Sequence, residues 1–262
     1  MNGLPAPSKE LGQHFLVDEN ILGVIGRLSE LDADDVVLEI GPGQGVLTAF
    51  LAERAGLVHA IELDRRLEPH LTGRFGAAAN VRLHFADALE LDPGVLDPPP
   101  SKLVANLPYN VATPIVVEGL DRLPSVRLWC VMVQREVADR FFAAPGTKAY
   151  GAVSVLLQLA TERTGFHAVS REVFRPRPNV DSALVAFRRR ESLPPLEWRQ
   201  LKRIVEAAFA HRRKRLPNSL ELAGVADREH AAAALADLDR PPTARAEELA
   251  PQEFVQLATA LR

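Results

Sequence analysis

The chain has 262 residues, 47% of them hydrophobic, enough to fill the core of one large domain plus a smaller one, and its formal net charge of −3 argues, as a sum, against a nucleic-acid partner. Its single cysteine, Cys130, lies in an apolar run and excludes both a disulfide framework and a cysteine-based metal site, so no metal is expected. No apolar run reaches the roughly 18 residues of a membrane span, and the N-terminus lacks a basic segment followed by an apolar one, so a cytoplasmic protein without membrane association is expected.

As far as about residue 190, short β-branched apolar runs alternate with longer amphipathic stretches, which predicts an α/β domain with a mainly parallel sheet. The predicted strands are Val36 to Ile40, Val58 to Glu62, Val81 to Phe85, Leu103 to Ala105, Leu128 to Val133, Gly165 to Val169 and Ser182 to Phe187. Helical spacing of Leu, Ala, Ile and Val runs through Gln44 to Ala55 and Thr113 to Leu123. The last two strands are joined by Phe174-Arg175-Pro176-Arg177-Pro178, which suits an ordered connection rather than a crossover helix and predicts an antiparallel closing pair. Glu191-Ser192-Leu193-Pro194-Pro195 reads as a linker, after which Ala, Leu, Glu and Arg dominate. The expected division is therefore a domain over 1–190 and a small α-helical domain over 191–262.

The first predicted strand runs into Gly41-Pro42-Gly43-Gln44-Gly45, a turn whose glycines admit close approach of a ligand at the start of a helix. Alone, the loop reads equally well as a tight turn. Its G-x-G-x-G spacing differs from the dinucleotide pattern, and the preceding Glu39 suits a cationic sulfonium better than a pyrophosphate, so methyl transfer is favoured over hydride transfer. Glu62 closes the next strand, where its carboxylate can accept from ribose hydroxyls, and Asp87 follows the third, placed for an adenine amine. Each acid alone reads as a surface residue or a helix cap, but together they occupy successive strand ends, where ligands of open α/β sheets bind.

After the fourth strand comes Asn106-Leu107-Pro108-Tyr109. To methylate an exocyclic amine, its lone pair must leave conjugation with the ring, and acceptors for both N–H hydrogens favour that geometry. The Asn106 side-chain oxygen and the Pro108 carbonyl can supply them, with Leu107 restricted by the proline, and Tyr109 offers a face to a base turned out of its stack. In isolation the string reads as a β-turn.

With these residues the chain resembles the ribosomal RNA adenine N6-dimethyltransferase family, above all its branch acting on adjacent adenines near the 3′ end of small-subunit RNA. The resemblance spans nearly all of the first 220 residues. It is carried in order by Leu11-Gly12-Gln13-His14-Phe15-Leu16, Glu39 to Gly45, Asn106 to Asn110, Lys148-Ala149-Tyr150-Gly151, Pro178 to Ala183 and Ala210-His211-Arg212-Arg213-Lys214. It implies a seven-stranded Rossmann-like methyltransferase domain that binds S-adenosylmethionine through His14, Leu16, Gly41, Gly43, Glu62, Asp87 and Asn106. It also implies that Phe174 stacks on the target base opposite Tyr109, and that the partner is ribosomal RNA in an assembling small subunit, with no oligomer required. The residues alone leave His14 open as a cap and Phe174 as a core residue.

Such family members carry a basic arm before the Gly-Gln pair, whereas this chain opens Ala6-Pro7-Ser8-Lys9-Glu10. Its basic residues concentrate instead between Arg171 and Arg215, and Arg188, Arg189, Arg212, Arg213 and Lys214 are the expected RNA contacts, although a charge run also reads as a solvated face. Two alternatives stay open on the sequence. One is a large-subunit adenine methyltransferase of the same fold, against which Lys148 to Gly151 and the helical tail argue; the other is a non-catalytic nucleic-acid-binding relative, against which the intact Asn106 to Tyr109 argues.

Overall fold

The computed structural model describes residues 5–8, 11–192 and 197–262. Lys9 and Glu10 of the N-terminal segment, and Leu193, Pro194 and Pro195 of the expected linker, lie outside the described residues. The chain runs through β1 (Phe15–Leu16), α1 (Glu19–Ser29), β2 (Val36–Ile40), α2 (Val46–Ala52), β3 (Leu57–Glu62), α3 (Glu68–Phe75) and β4 (Val81–Phe85). It continues through β5 (Lys102–Asn106), α4 (Ala112–Arg122), β6 (Leu128–Gln134), α5 (Arg135–Phe141), α6 (Ala152–Ala160), β7 (Thr161–Val169), β8 (Phe174–Arg175) and β9 (Ser182–Arg189). Helices α7 (Trp198–Phe209), α8 (Leu216–Leu222), α9 (Arg228–Ala236) and α10 (Pro251–Ala260) complete it.

Among the described residues, seven strands form one sheet in the order β4-β3-β2-β5-β6-β9-β7. Neighbours from β4 to β6 are parallel, while β9 runs antiparallel to β6, with Leu128 opposite Arg188 and Gln134 opposite Ser182. All seven predicted strands are present, and β7 is longer than its apolar run because residues 162–164 are exposed and carry no apolar signal. Every residue of β3 is buried, as parallel strands covered on both faces require. Cys130 is buried at the centre of β6, and burial pushes its thiol up to about 12. It is a core residue.

The sequence reading omitted α1 and the pair β1·β8. Helix α1 is capped by the Asp18 side chain, which accepts from Asn20 N–H at 2.8 Å, and it buries Ile21, Leu22 and Ile25. The antiparallel pair β1·β8 sets Phe15 opposite Arg175 and Leu16 opposite Phe174.

By internal packing the chain divides into Met1–Ala138 with Arg163–Arg189, and Asp139–Glu162 with Arg190–Arg262. The second unit thus includes 139–162, which the sequence division leaves in the first domain. The reason lies in α6, whose apolar residues are buried and which packs on α7 and α10. Tyr150, just ahead of α6, is buried, donates its hydroxyl to the Leu249 carbonyl at 2.8 Å and meets the Phe209 ring edge-on at 5.8 Å.

Candidate active site

The sheet order reverses at β2, which has β3 on one side and β5 on the other, so a crevice opens beyond the carboxyl ends of these strands. A cavity of about 1070 Å³, including solvent at its mouth, fills that crevice within the first unit. Its walls include the arm from Leu11 to Leu16, the turn after β2, Glu62, Asp87 and the segment Asn106 to Asn110. Gly41 and Gly43 both hold positive φ, at 75° and 58°. A side chain at Gly43 would also run into the Phe15 ring, 2.8 Å from the ideal Cβ position. The arm is therefore seated directly on the glycine turn.

Three acids stand where the strands end. Glu39 is 1% exposed, and its Oε2 has no hydrogen-bond partner among the described residues. Burial pushes its carboxyl up to about 8, and the nearby Glu62 carboxylate raises it further. Glu62 accepts from Gly43 N–H at 3.0 Å and from Asp64 N–H at 2.9 Å, ties that hold its carboxyl down while burial raises it above the ordinary range. Asp87 folds into an Asx turn by accepting from Leu89 N–H at 2.8 Å.

Asn106 ends β5, and its side-chain nitrogen donates to the His14 carbonyl at 3.0 Å. Because a carbonyl can only accept, this bond fixes the amide orientation and leaves Oδ1 as an acceptor. Leu107 N–H donates to the Met132 carbonyl at 3.1 Å, and the Pro108 carbonyl accepts from Val111 N–H at 3.2 Å with one lone pair to spare. The Tyr109 hydroxyl shares a 2.5 Å hydrogen bond with Ser182 Oγ, and its ring centroid lies 5.2 Å from that of His14. Burial raises the Tyr109 phenol above its ordinary range, so it stays neutral.

The sequence profile of the ribosomal RNA adenine dimethylase family matches residues 7–260. The chain belongs to that family. It is an S-adenosylmethionine-dependent methyltransferase that modifies ribosomal RNA. It is 53% identical to a ribosomal RNA small subunit methyltransferase A of Rubrobacter xylanophilus over 97% of this chain and 94% of the relative. In fold it is similar to a dimethyladenosine transferase from Plasmodium falciparum, with a TM-score of 0.76 at 24% identity over 93% of this chain and 96% of the other. It is also similar to the 23S rRNA methyltransferase ErmE, with a TM-score of 0.67 at 29% identity over 94% and 99% of the two chains. The site of this dimethylase family member fits a nucleoside-bearing cofactor: Glu39 has a buried carboxyl oxygen without a partner among the described residues, and Gly41 and Gly43 hold positive φ in the turn that lines the cavity.

The structure brings His14, Leu16, Gly41, Gly43, Glu62, Asp87 and Asn106 to one cavity, with Leu107, Pro108 and Tyr109 on its wall. Phe174 is not on that wall. It is fully buried in the core with Leu16, Met132 and Leu184, because pairing with β1 turns it inward. Arg189 is likewise unavailable to a phosphate: its guanidinium donates to the carbonyls of Leu120, Leu123 and Val126 at 2.9 to 3.1 Å, closing the end of α4, and lies 4.9 Å over the Trp129 ring. Arg188 pairs with both carboxylate oxygens of Glu30 at 2.8 and 2.9 Å. In the second unit, Arg212 donates to the carbonyls of Lys148 and Tyr150 and meets Glu247 at 3.3 Å. Arg213 and Lys214 are exposed on the connection between α7 and α8, with no side-chain bond among the described residues.

Sequence reasoning assigned no role to Gln13 or Asp64. The Gln13 amide donates to Asp64 Oδ2 at 3.0 Å and its carbonyl accepts from Ser8 N–H at 2.8 Å. Two bonds from Arg66 hold the Asp64 carboxyl down to about 2. His14 Nδ1 donates to the Pro176 carbonyl at 2.7 Å. These bonds, with β1·β8, fasten the arm across the cavity. The only signal for them in the sequence is the Gly-Gln-His string itself.

Proposed function

We propose that the protein transfers methyl groups from S-adenosylmethionine to the N6 amine of two adjacent adenines near the 3′ end of small-subunit ribosomal RNA, within an assembling subunit in the cytoplasm. The observation that carries the choice of subunit is the 53% identity over almost the whole chain to a small subunit methyltransferase A. The likeness to the 23S enzyme, at 29%, is weaker support for a large-subunit target.

When bound, the cofactor supplies an electrophilic methyl group on a sulfonium. In this reading Glu62 accepts from the ribose hydroxyls, Asp87 from the adenine amine, and Glu39 presents a buried carboxyl beneath the glycine turn. His14 and Leu16 close over the cofactor from the arm. The Asn106 Oδ1 and the Pro108 carbonyl accept the two hydrogens of the target amine, draw its lone pair out of the ring and stabilise the positive charge that builds on nitrogen during attack. Leu107 holds these two acceptors in register through its bond to Met132. Tyr109 stacks on the base, its ring held by Ser182. The opposite face, assigned to Phe174 by resemblance, requires that ring to turn out of the core. Arg213 and Lys214 contact phosphate, and Arg212 supports them from its bonds to Lys148 and Tyr150.

The experiment is to map dimethylated adenines in ribosomal RNA from a strain lacking the gene, with and without a plasmid copy. The proposal expects loss and return of modification at adjacent adenines near the small-subunit 3′ end. A change confined to large-subunit RNA would overturn it.

A further inference from the structure

The segment from Asp87 to Leu91 is held from behind by a residue that lies outside the cofactor cavity. Arg122, the last residue of α4, donates from one guanidinium nitrogen to the Leu89 carbonyl and from another to the Leu91 carbonyl. Leu89 is the residue whose N–H is bound by the Asp87 carboxylate, and Leu91 N–H returns to the Asp87 carbonyl at 2.9 Å. The two carbonyls gripped by Arg122 therefore belong to the same turn that aims the Asp87 side chain.

The turn is half-buried rather than enclosed in the core. Behind it lies a second, mainly apolar cavity, walled by Leu38, Leu91, Leu96, Gly119 and Leu123, with Arg122 on its rim. Ile40, Ile61, Ala88, Leu89 and Ile115 line both cavities, so a single layer of side chains separates the cofactor cavity from this shallow cleft. A half-buried turn with a cleft behind it has fewer neighbours to hold it than a segment packed on all sides. A planar guanidinium bridging two carbonyls supplies the missing restraint.

We propose that Arg122 is a positioning residue that sets recognition of the cofactor's adenine ring by bracing the Asp87 turn across this cleft. The proposal rests on the assignment of Asp87 to the adenine amine, and the test separates the two. S-adenosylhomocysteine and S-inosylhomocysteine differ along the ring edge that carries that amine, where a carbonyl replaces the amine and N1 gains a hydrogen, so the change in their affinity ratio between wild type and Asp87→Ala, read by calorimetric titration, reports the Asp87 share of the discrimination. Wild type should favour the adenosyl ligand, and Asp87→Ala should lower the ratio.

Arg122→Met should lower the same ratio by roughly tenfold, through weaker binding of the adenosyl ligand only. In the double variant the two losses should not add, because both act on one interaction. Arg122→Lys should recover part of the ratio, since an ammonium reaches one carbonyl but does not span two in a fixed plane. It also carries the comparison if the methionine variant does not fold. Equal weakening of both ligands by Arg122→Met, or additive losses in the double variant, would make Arg122 a general support of the fold and overturn the proposal. An unchanged ratio in Asp87→Ala would remove the assignment of Asp87, and with it the role proposed for Arg122.

Discussion

The side-chain nitrogen of Asn106 donates to the main-chain carbonyl of His14 at 3.0 Å, joining the end of β5 to an arm 92 residues earlier in the chain. The arm thus orients the carboxamide from the side opposite its acceptor oxygen. Its own position is set by Gln13 on Asp64, by His14 on Pro176 and by the register of Leu16 with Phe174. The order of the arm and the direction of the Asn106 carboxamide are therefore one structural fact.

Glu39 makes stability depend on pH. Its carboxyl ordinarily titrates at 4.5 and is pushed up to about 8 in the fold, so between these values the folded chain keeps a proton that the unfolded chain releases. The stability from this group is complete below 4.5 and is lost as pH rises through about 8. Glu39→Gln removes that loss, so the cofactor-free variant should gain stability relative to wild type as pH rises from about 5 to about 9. Thermal melts across that range check it; a difference independent of pH would mean that the Glu39 carboxyl titrates alike in the folded and unfolded chain.

Arg189 and the pair Arg213 and Lys214 should separate cleanly. Arg189→Gln leaves carbonyls at the end of α4 without their donor and should destabilise the fold by about 1–3 kcal/mol, with the salt dependence of RNA binding intact. Replacing Arg213 and Lys214 by Gln should do the reverse, flattening the slope of log affinity against log salt by about 0.7 to 0.9 for each phosphate left without its cation. Urea unfolding and RNA titration at several salt concentrations distinguish the two outcomes.

Phe174 should behave as a core residue. Its ring is fully buried, so Phe174→Ala should cost about 3–5 kcal/mol in urea unfolding. A loss below about 1 kcal/mol would show that the ring is not packed as the structure places it.

Much of this architecture was legible because parallel strands buried on both faces read as near-continuous apolar runs, such as Val58 to Ile61, broken only by His59, and Leu128 to Val133. The glycine turn and Asn106 to Tyr109 were legible because their chemistry is local. Strands β1 and β8 were not, since two residues give no periodicity to detect. The Gln13–Asp64 bond joins residues 51 apart and leaves no local trace. The place of Arg189 was not legible for a related reason: an arginine that binds phosphate and one that caps a helix with its guanidinium look alike in sequence, and only the carbonyls of Leu120, Leu123 and Val126 tell them apart.

The central claim is that the Asn106 carboxamide acts on the target amine in the transition state. Asn106→Ala removes one acceptor without adding charge, and in the proposed mechanism the ground-state RNA contacts lie elsewhere. The most direct measurement is single-turnover methyl transfer to small ribosomal subunits that lack the modification, at saturating cofactor, with RNA affinity measured in parallel. The account predicts a rate at least about 100-fold below wild type with RNA affinity nearly unchanged. A rate close to wild type, from a folded variant with cofactor bound, would contradict it.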